Sequence, residues 1–335
     1  MADAVYASDP DAAPDSEFEA GALRHLVPGN RGRLLDARRT PITIVSVDPS
    51  RGGFELEIGA FEDAGARWEL PLEEVGRFQF ARDADLAGAA AVTELERALE
   101  RFDRELTIDC DPGVREETLE RIAEESATLR DRVSDELAVE VDLAGCIERR
   151  FGEEQLFGLL EAVMADQDVA ELERQFSTKF VSNPRSGELV KGHAIVLAEL
   201  GLCPYRGKVV RDPRLFDGAW SKPRRARHLV GRLAFTQALW SILGEPSALL
   251  YRGAATDGTL DDRERAPSSF VSATLSRDVA MAHFEGGATT RVAVLWRQRV
   301  PVARLLMTFL ETRAMNERFR EAEAVLVGDP RNSVF

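Results

Sequence analysis

The sequence is poor in several residue types, and each shortage narrows the possible functions. Cysteine occurs three times in 335 residues (Cys110, Cys146, Cys203) and never as a CxxC pair, so neither a disulfide framework nor a thiolate metal site is expected. The thiols read as reduced core residues of a cytosolic protein. No apolar run approaches the roughly 18 residues of a membrane helix; the strongest, Val292-Ala-Val-Leu-Trp296 and Ala324-Val-Leu-Val327, are strand-sized. The first twenty residues hold six acids and no Lys or Arg, the opposite of a secretory leader. The four histidines (His25, His193, His228, His283) have no Cys or acid partner at metal-ligand spacing. GxxxxGK[ST], GxGxxG, GxSxG and HExxH are all absent. Metal catalysis, phosphate-loop chemistry and triad hydrolysis therefore have no footing, and no metal cofactor is expected.

Lysine is scarce too: four of the 43 basic residues are Lys, and the formal net charge is −15. The charge is unevenly spread. Residues 1–90 sum to −8, 91–175 to −15, 176–250 to +7 and 251–335 to +1. The change of sign near residue 175 directs an anionic ligand to the second half of the chain. The overall negative charge disfavours broad nucleic-acid binding, since like charge repels the phosphate backbone.

The patterning predicts an α+β protein. Residues 1–22 are rich in Ala, Asp, Pro and Ser and read as a disordered acidic tail. Residues 23–82 read as a small β-barrel-like domain, with Phe54, Leu56 and Ile58 alternating against Glu55 and Glu57 after the turn at residues 48–53. Residues 83–175 carry apolar positions at helical spacing with strongly acidic opposite faces, broken at Asp111-Pro-Gly113 and Gly152. The C-terminal domain, 176–335, divides into a helical lead-in (176–245) and a β core (246–335). In that core, strands are predicted over 248–253, 268–274, 290–298, 302–306 and 322–327, with a short helix over 279–284 capped by Ser276.

Three motifs stand in order in the β core. Leu250-Tyr-Arg-Gly253 ends a strand; Phe270-x-Ser272-x-Thr274 forms a second and is followed by Ala280 and Phe284; Glu321-Ala-Glu323 enters the last. Glu-x-Glu occurs five times in the chain, so the order and strand contexts carry the signal. Over residues 247–329 this arrangement resembles the arginine–serine–glutamate class of mono-ADP-ribosyltransferases, in the order of the motifs and in their separations of 20 and 49 residues. Ala273 departs from that pattern by replacing a second hydroxyl, and Ala324 by being small.

The resemblance implies an ADP-ribosyltransferase-like β-sandwich and NAD as substrate. Glu323 would hold the ribose 2′-hydroxyl and face the oxocarbenium-like carbon formed as nicotinamide departs. Arg252 would clamp phosphate or ribose oxygens through its planar fork. Gly253 would let the backbone approach the carboxamide, Ser272 would orient Glu323, and Thr274 and Phe284 would complete the NAD contacts. A Glu two positions before the catalytic Glu goes, in that family, with guanidinium acceptors. Glu321 would then position a protein arginine and take its proton, which a guanidinium otherwise keeps. Strand spacing would set the two carboxylates side by side on one face. Residues 308–320 would form the acceptor loop, with Phe309 and Phe319 as aromatic contacts or as core.

The implied setting is a toxin, a phage-defence factor or a regulator whose acceptor is a macromolecule, most simply a protein. Two other readings stay open: a non-catalytic scaffold with a decayed transferase fold, and a hydrolase or transferase whose acceptor is water or nucleic acid. The basic run Lys222-Pro-Arg-Arg-Ala-Arg-His-Leu-Val-Gly-Arg232 could serve phosphates or nucleic acid, or solvate and pair the start of a helix, with Arg227 and Arg232 meeting the acidic helices.

Overall fold

The computed structural model describes residues 17–36, 38–60, 63–137, 140–182, 187–256, 269–283, 292–317, 320–329 and 331. The protein is a mixed α and β chain that divides into two compact units, Met1–Arg104 and Glu105–Phe335.

In the first unit, strands β1 (Phe18–Ala20), β2 (Arg31–Leu34), β3 (Pro41–Asp48), β4 (Gly53–Ile58), β5 (Arg67–Pro71) and β6 (Phe78–Ala81) form one antiparallel sheet. Its order is β1-β6-β2-β3-β4-β5. The sheet is open, with β1 and β5 at its edges, so the barrel-like expectation is corrected to a six-stranded sheet. Alternation decides the buried face: Ile42, Ile44, Phe54, Leu56, Ile58, Phe78 and Phe80 are buried, and Leu95 and Ala98 of helix α1 (Ala89–Phe102) cover them. Structure begins earlier than the predicted tail end, because β1 pairs with β6 and Arg33 stacks its guanidinium 4.2 Å over Phe18. The β3–β4 turn is built on Asp48, whose Oδ1 accepts the Ser50 N–H at 2.9 Å, and on Gly52 at φ +61°.

The second unit opens with β7 (Glu105–Ile108), helices α2 (Pro112–Glu136), α3 (Leu143–Arg149), α4 (Glu154–Asp166), α5 (Ala170–Ser182) and α6 (Glu188–Glu199), and β8 (Tyr205–Lys208). Helix α7 (Lys222–Ile242) follows, then β9 (Ser247–Thr256), β10 (Phe270–Thr274), α8 (Arg277–Ala282), β11 (Val292–Pro301), β12 (Leu305–Thr308), α9 (Ala314–Glu317) and β13 (Glu323–Val327). Asp111 starts α2 as its sequence promises, with its carboxylate accepting the N–H groups of Gly113 and Val114 and Pro112 in the first turn. The predicted acidic helices share one apolar core with the C-terminal sheet, running from Ile122 through Phe176 and Phe235 to Leu326. Helix α7 lies at its centre. Leu229, Leu233, Phe235, Leu239 and Trp240 are all buried, as are Arg225, His228 and Arg232 on the same helix, and burial on nearly every side leaves no amphipathic stripe to read.

Strands β11-β9-β10-β13-β12 form one antiparallel sheet. Among the described residues the module is therefore a single sheet carrying helices and not two packed sheets, and the sandwich expectation is corrected accordingly. The sheet is nevertheless almost divided. Strand β9 pairs with β11 along all ten residues, but with β10 only at Tyr251 opposite Thr274. Among the described residues no helix is long and apolar enough to cross a membrane.

Candidate active site

The separation of β9 from β10 opens a cleft of about 510 Å³. Beyond the Tyr251–Thr274 pair the two strands no longer share a ladder, and the residues that would have come next, Arg252 and Gly253 on one side and Ala273 and Ser272 on the other, line the opening. Helix α8, capped by the Ser276 hydroxyl accepting the Val279 N–H, adds Val279 and Ala280, and His283 follows its last turn. Glu321 and Glu323 complete the wall.

Five of the residues predicted from sequence, Arg252, Gly253, Ser272, Glu321 and Glu323, thus meet at one cleft, and Thr274 joins them. Phe284 and Phe319 lie outside the described residues. Sequence reasoning did not assign Tyr251, although it adjoins Arg252, nor His283, whose only signal was its place one turn beyond Val279.

At the centre of the site, Ser272 Oγ donates to Glu323 Oε1 at 2.5 Å. The β10–β13 register explains the pair. Thr274 stands opposite Glu323 and Ser272 opposite Val325, so Ser272 and Glu323 are diagonal neighbours on one face. Burial pushes the Glu323 carboxyl above its ordinary range; the Ser272 hydrogen bond pulls it back, and the nearby Glu321 charge raises it again. A half-desolvated carboxylate of this kind favours a cation beside it.

Glu321 corrects the sequence argument for side-by-side carboxylates. It lies before β13 rather than on it, because Ala322 adopts φ +47° and turns the chain. This bend is held from β10. The Thr274 hydroxyl donates to the Glu321 carbonyl at 2.5 Å and accepts the Ser276 N–H at 2.9 Å, while the Leu275 N–H donates to the Ala322 carbonyl at 3.0 Å. The two carboxylates share the cleft through this clamp and not through the two-residue period of a strand. Thr274 is itself buried, with its hydroxyl committed to the bend.

The segment after β12 also differs from expectation. Phe309 is fully buried and is core, as are Leu310 and Met315. The Asn316 side chain holds the segment down, donating to the Phe309 and Thr312 carbonyls at 2.7 and 2.9 Å and accepting the Gly152 N–H at 2.9 Å. A Cβ at Gly152 would lie 2.3 Å from the Phe309 carbonyl oxygen, so only glycine admits this approach. Glu317 and Arg320 are exposed and remain as the described surface of the predicted acceptor loop.

The basic run is absorbed structurally. Lys222 pairs with Glu199 at 2.5 Å, Arg224 with Asp168, and Arg227 donates to the Gln167 carbonyl at 3.2 Å. Arg225 is buried, and Arg232 reaches Glu173 at 3.3 Å. Two histidines that look isolated in sequence meet in space, with His193 Nε2 3.2 Å from His228 Nδ1. No group of His, Cys, Asp and Glu among the described residues could hold a metal ion. Burial pushes the Cys146 and Cys203 thiols up to about 12, so neither is a ready nucleophile.

A second cleft of about 1090 Å³ lies among α4, α5 and α9; it contains none of the predicted NAD-site residues but is lined by Glu311, Arg313, Ala314 and Glu317 of the predicted acceptor segment. Charges at its rim pair with one another, Arg313 reaching Glu154 and Glu161 at 3.0 Å each. In comparisons with known proteins, no family model, no curated protein and no solved structure matches this chain.

Proposed function

We propose that the protein is a mono-ADP-ribosyltransferase that moves ADP-ribose from NAD to a protein arginine and releases nicotinamide. The observation that carries this reading is the cleft in which Arg252, Gly253, Ser272, Glu321 and Glu323 come together from three separated stretches, with Ser272 hydrogen-bonded to Glu323. In the reaction the bond between ribose C1′ and the nicotinamide nitrogen breaks, and its electron pair leaves with neutral nicotinamide. A guanidinium nitrogen then forms the new bond to C1′ and gives up a proton.

Each residue answers one demand of that step. Positive charge develops at the ribose, and Glu323, part-buried and preorganised by Ser272, stabilises it. Arg252 offers a fork for phosphate or ribose oxygens. Gly253, where β9 has parted from β10, gives main-chain access to the carboxamide. Glu321 lines the same cleft, half-exposed, where it can align the acceptor guanidinium and take its proton.

The test is to incubate the purified protein with labelled NAD and a cell lysate. Labelled protein together with free nicotinamide is the expected result. Glu323→Gln should abolish both, whereas Glu321→Gln should spare nicotinamide release and lose transfer to arginine. Absence of nicotinamide release from the wild-type protein would sink the enzymatic reading, and arginine transfer surviving Glu321→Gln would sink the acceptor assignment.

A further inference from the structure

A chain of buried ionisable side chains crosses the second unit, and the transfer chemistry does not use it. It begins at Arg225 in α7, which donates to the carbonyls of Trp220, Leu189 and Leu215 at 2.8–3.0 Å and reaches His193 Nδ1 at 2.6 Å. His193 Nε2 meets His228 Nδ1 at 3.2 Å, and His228 Nε2 meets Glu173 Oε2 at 2.7 Å. One tautomer assignment fits the links from Arg225 to Glu173: each Nε2 carries the proton and each Nδ1 accepts, which leaves the Leu189 carbonyl, 3.0 Å from His193 Nδ1, to accept from Arg225 instead. Arg232 continues the chain. Its Nε lies 3.3 Å from Glu173 Oε2, and its Nη2 donates to Thr312 Oγ1 at 2.6 Å and lies 3.5 Å from Glu311 Oε1. Arg225, His193, His228, Arg232 and Glu311 are at most 1% exposed, and Glu173 is 6% exposed.

The far end of the chain stops one residue short of the main chain of Glu323. Glu311 accepts the Thr308 N–H at 2.6 Å and also the Thr308 hydroxyl. Thr308 ends β12 opposite Ala324, and the next residue, Phe309, donates its N–H to the Glu323 carbonyl at 2.8 Å. The side-chain chain and the main chain of Glu323 are therefore separated by a single residue. A buried carboxylate facing a buried guanidinium has few ways to relax, because moving either partner leaves an uncompensated charge.

We infer that this chain is a positioning device for Glu323: Arg232 and Glu311, braced by the His193–His228–Glu173 relay, fix the β12–β13 junction and so the direction of the Glu323 carboxylate. The inference rests on the transferase reading of the cleft. Arg232 and Glu311 touch neither NAD nor acceptor in this scheme, and they are positioning residues.

The experiment uses the full-length protein and compares Glu311→Ala, Glu311→Gln and Thr312→Val with wild type. Steady-state nicotinamide release is measured together with amide hydrogen exchange at Phe309. Glu311→Ala is expected to lower kcat about 10²-fold, the scale of a misplacement near 1 Å, while KM for NAD stays within about twofold. The Phe309 amide should exchange at least about tenfold faster. Glu311→Gln keeps an acceptor oxygen for the Thr308 N–H and should recover most of kcat. Thr312→Val, which removes the hydroxyl that accepts from Arg232 and donates to Glu311 at 3.3 Å, covers the case in which Glu311→Ala does not fold; it should lower kcat about three- to tenfold. Wild-type kcat in a folded Glu311→Ala or Thr312→Val protein, or a rise in KM with kcat unchanged, would overturn the inference. A wild-type protein that releases no nicotinamide overturns the transferase reading instead, and the Phe309 exchange rates still decide whether the chain fixes the junction.

Discussion

The two large sheets of this protein differ in their middle strands. In the N-terminal sheet, β3 and β4 pair from Ile42–Ile58 to Asp48–Gly53, and the strands alternate buried apolar with partly exposed polar residues. In the C-terminal sheet, β9 and β10 meet at one pair and then part. The first arrangement spends its side chains on a core; the second leaves a guanidinium, hydroxyls and carboxylates facing an opening. A sheet becomes a site where its ladder stops, because backbone groups and alternating side chains then meet a ligand instead of a neighbouring strand.

This contrast can be attacked at both ends. The largest effect is expected in the continuously paired sheet. Phe54→Ala removes a fully buried ring from the N-terminal core and should cost about 3–5 kcal/mol, read by chemical denaturation of the first unit. In the parted sheet, Glu323→Gln should instead lower nicotinamide release by about 10²–10³-fold, the scale of a lost preorganised electrostatic contact.

The same substitution has an opposite effect on stability. Burial, only partly offset by Ser272, raises the folded-state pKa of Glu323 above its unfolded value, so its favourable contribution is present below the unfolded value and is lost as pH rises through the folded one. Glu323→Gln should therefore melt higher than wild type at about pH 8 and level with it at about pH 4. A wild-type melting temperature at pH 8 would contradict a desolvated carboxylate. Ser272→Ala is a smaller change. Losing a hydrogen bond to a charged group should reduce kcat by about tenfold and move the acid limb of the pH–rate profile upward, since that bond now lowers the Glu323 pKa. The smallest effect returns to the continuously paired sheet. Asp48→Ala removes the acceptor of the Ser50 hydrogen bonds in the β3–β4 turn and should cost about 1 kcal/mol. Its carboxyl is held below the ordinary range chiefly by Ser50, so that loss should be visible at neutral pH and disappear as pH falls through the folded-state value.

Short-range signals were legible and long-range ones were not. Asp111-Pro-Gly marks the start of α2 and Ser276 the start of α8 because a cap is a local hydrogen bond. The alternation of Phe54, Leu56 and Ile58 marks β4 for the same local reason. Nothing local announces that β7 at residues 105–108 pairs with β8 at 205–208, or that His193, His228 and Glu173 stack into a relay across three helices. The order of arginine, serine and glutamate motifs located the cleft, but the route by which Glu321 enters it was hidden. Alanine at 322 reads as strand, and only the Thr274 clamp makes it a bend.

That bend is also a gauge of distance. An alanine at φ +47° is held in a conformation that L-residues seldom adopt without support, so the gap between the carboxylate that would meet the sugar and the one that would meet the acceptor is set by a threonine on another strand. Changing Thr274 to valine would leave both acids chemically intact and let the span between them drift. The choice of acceptor could therefore be altered from a position that never touches it.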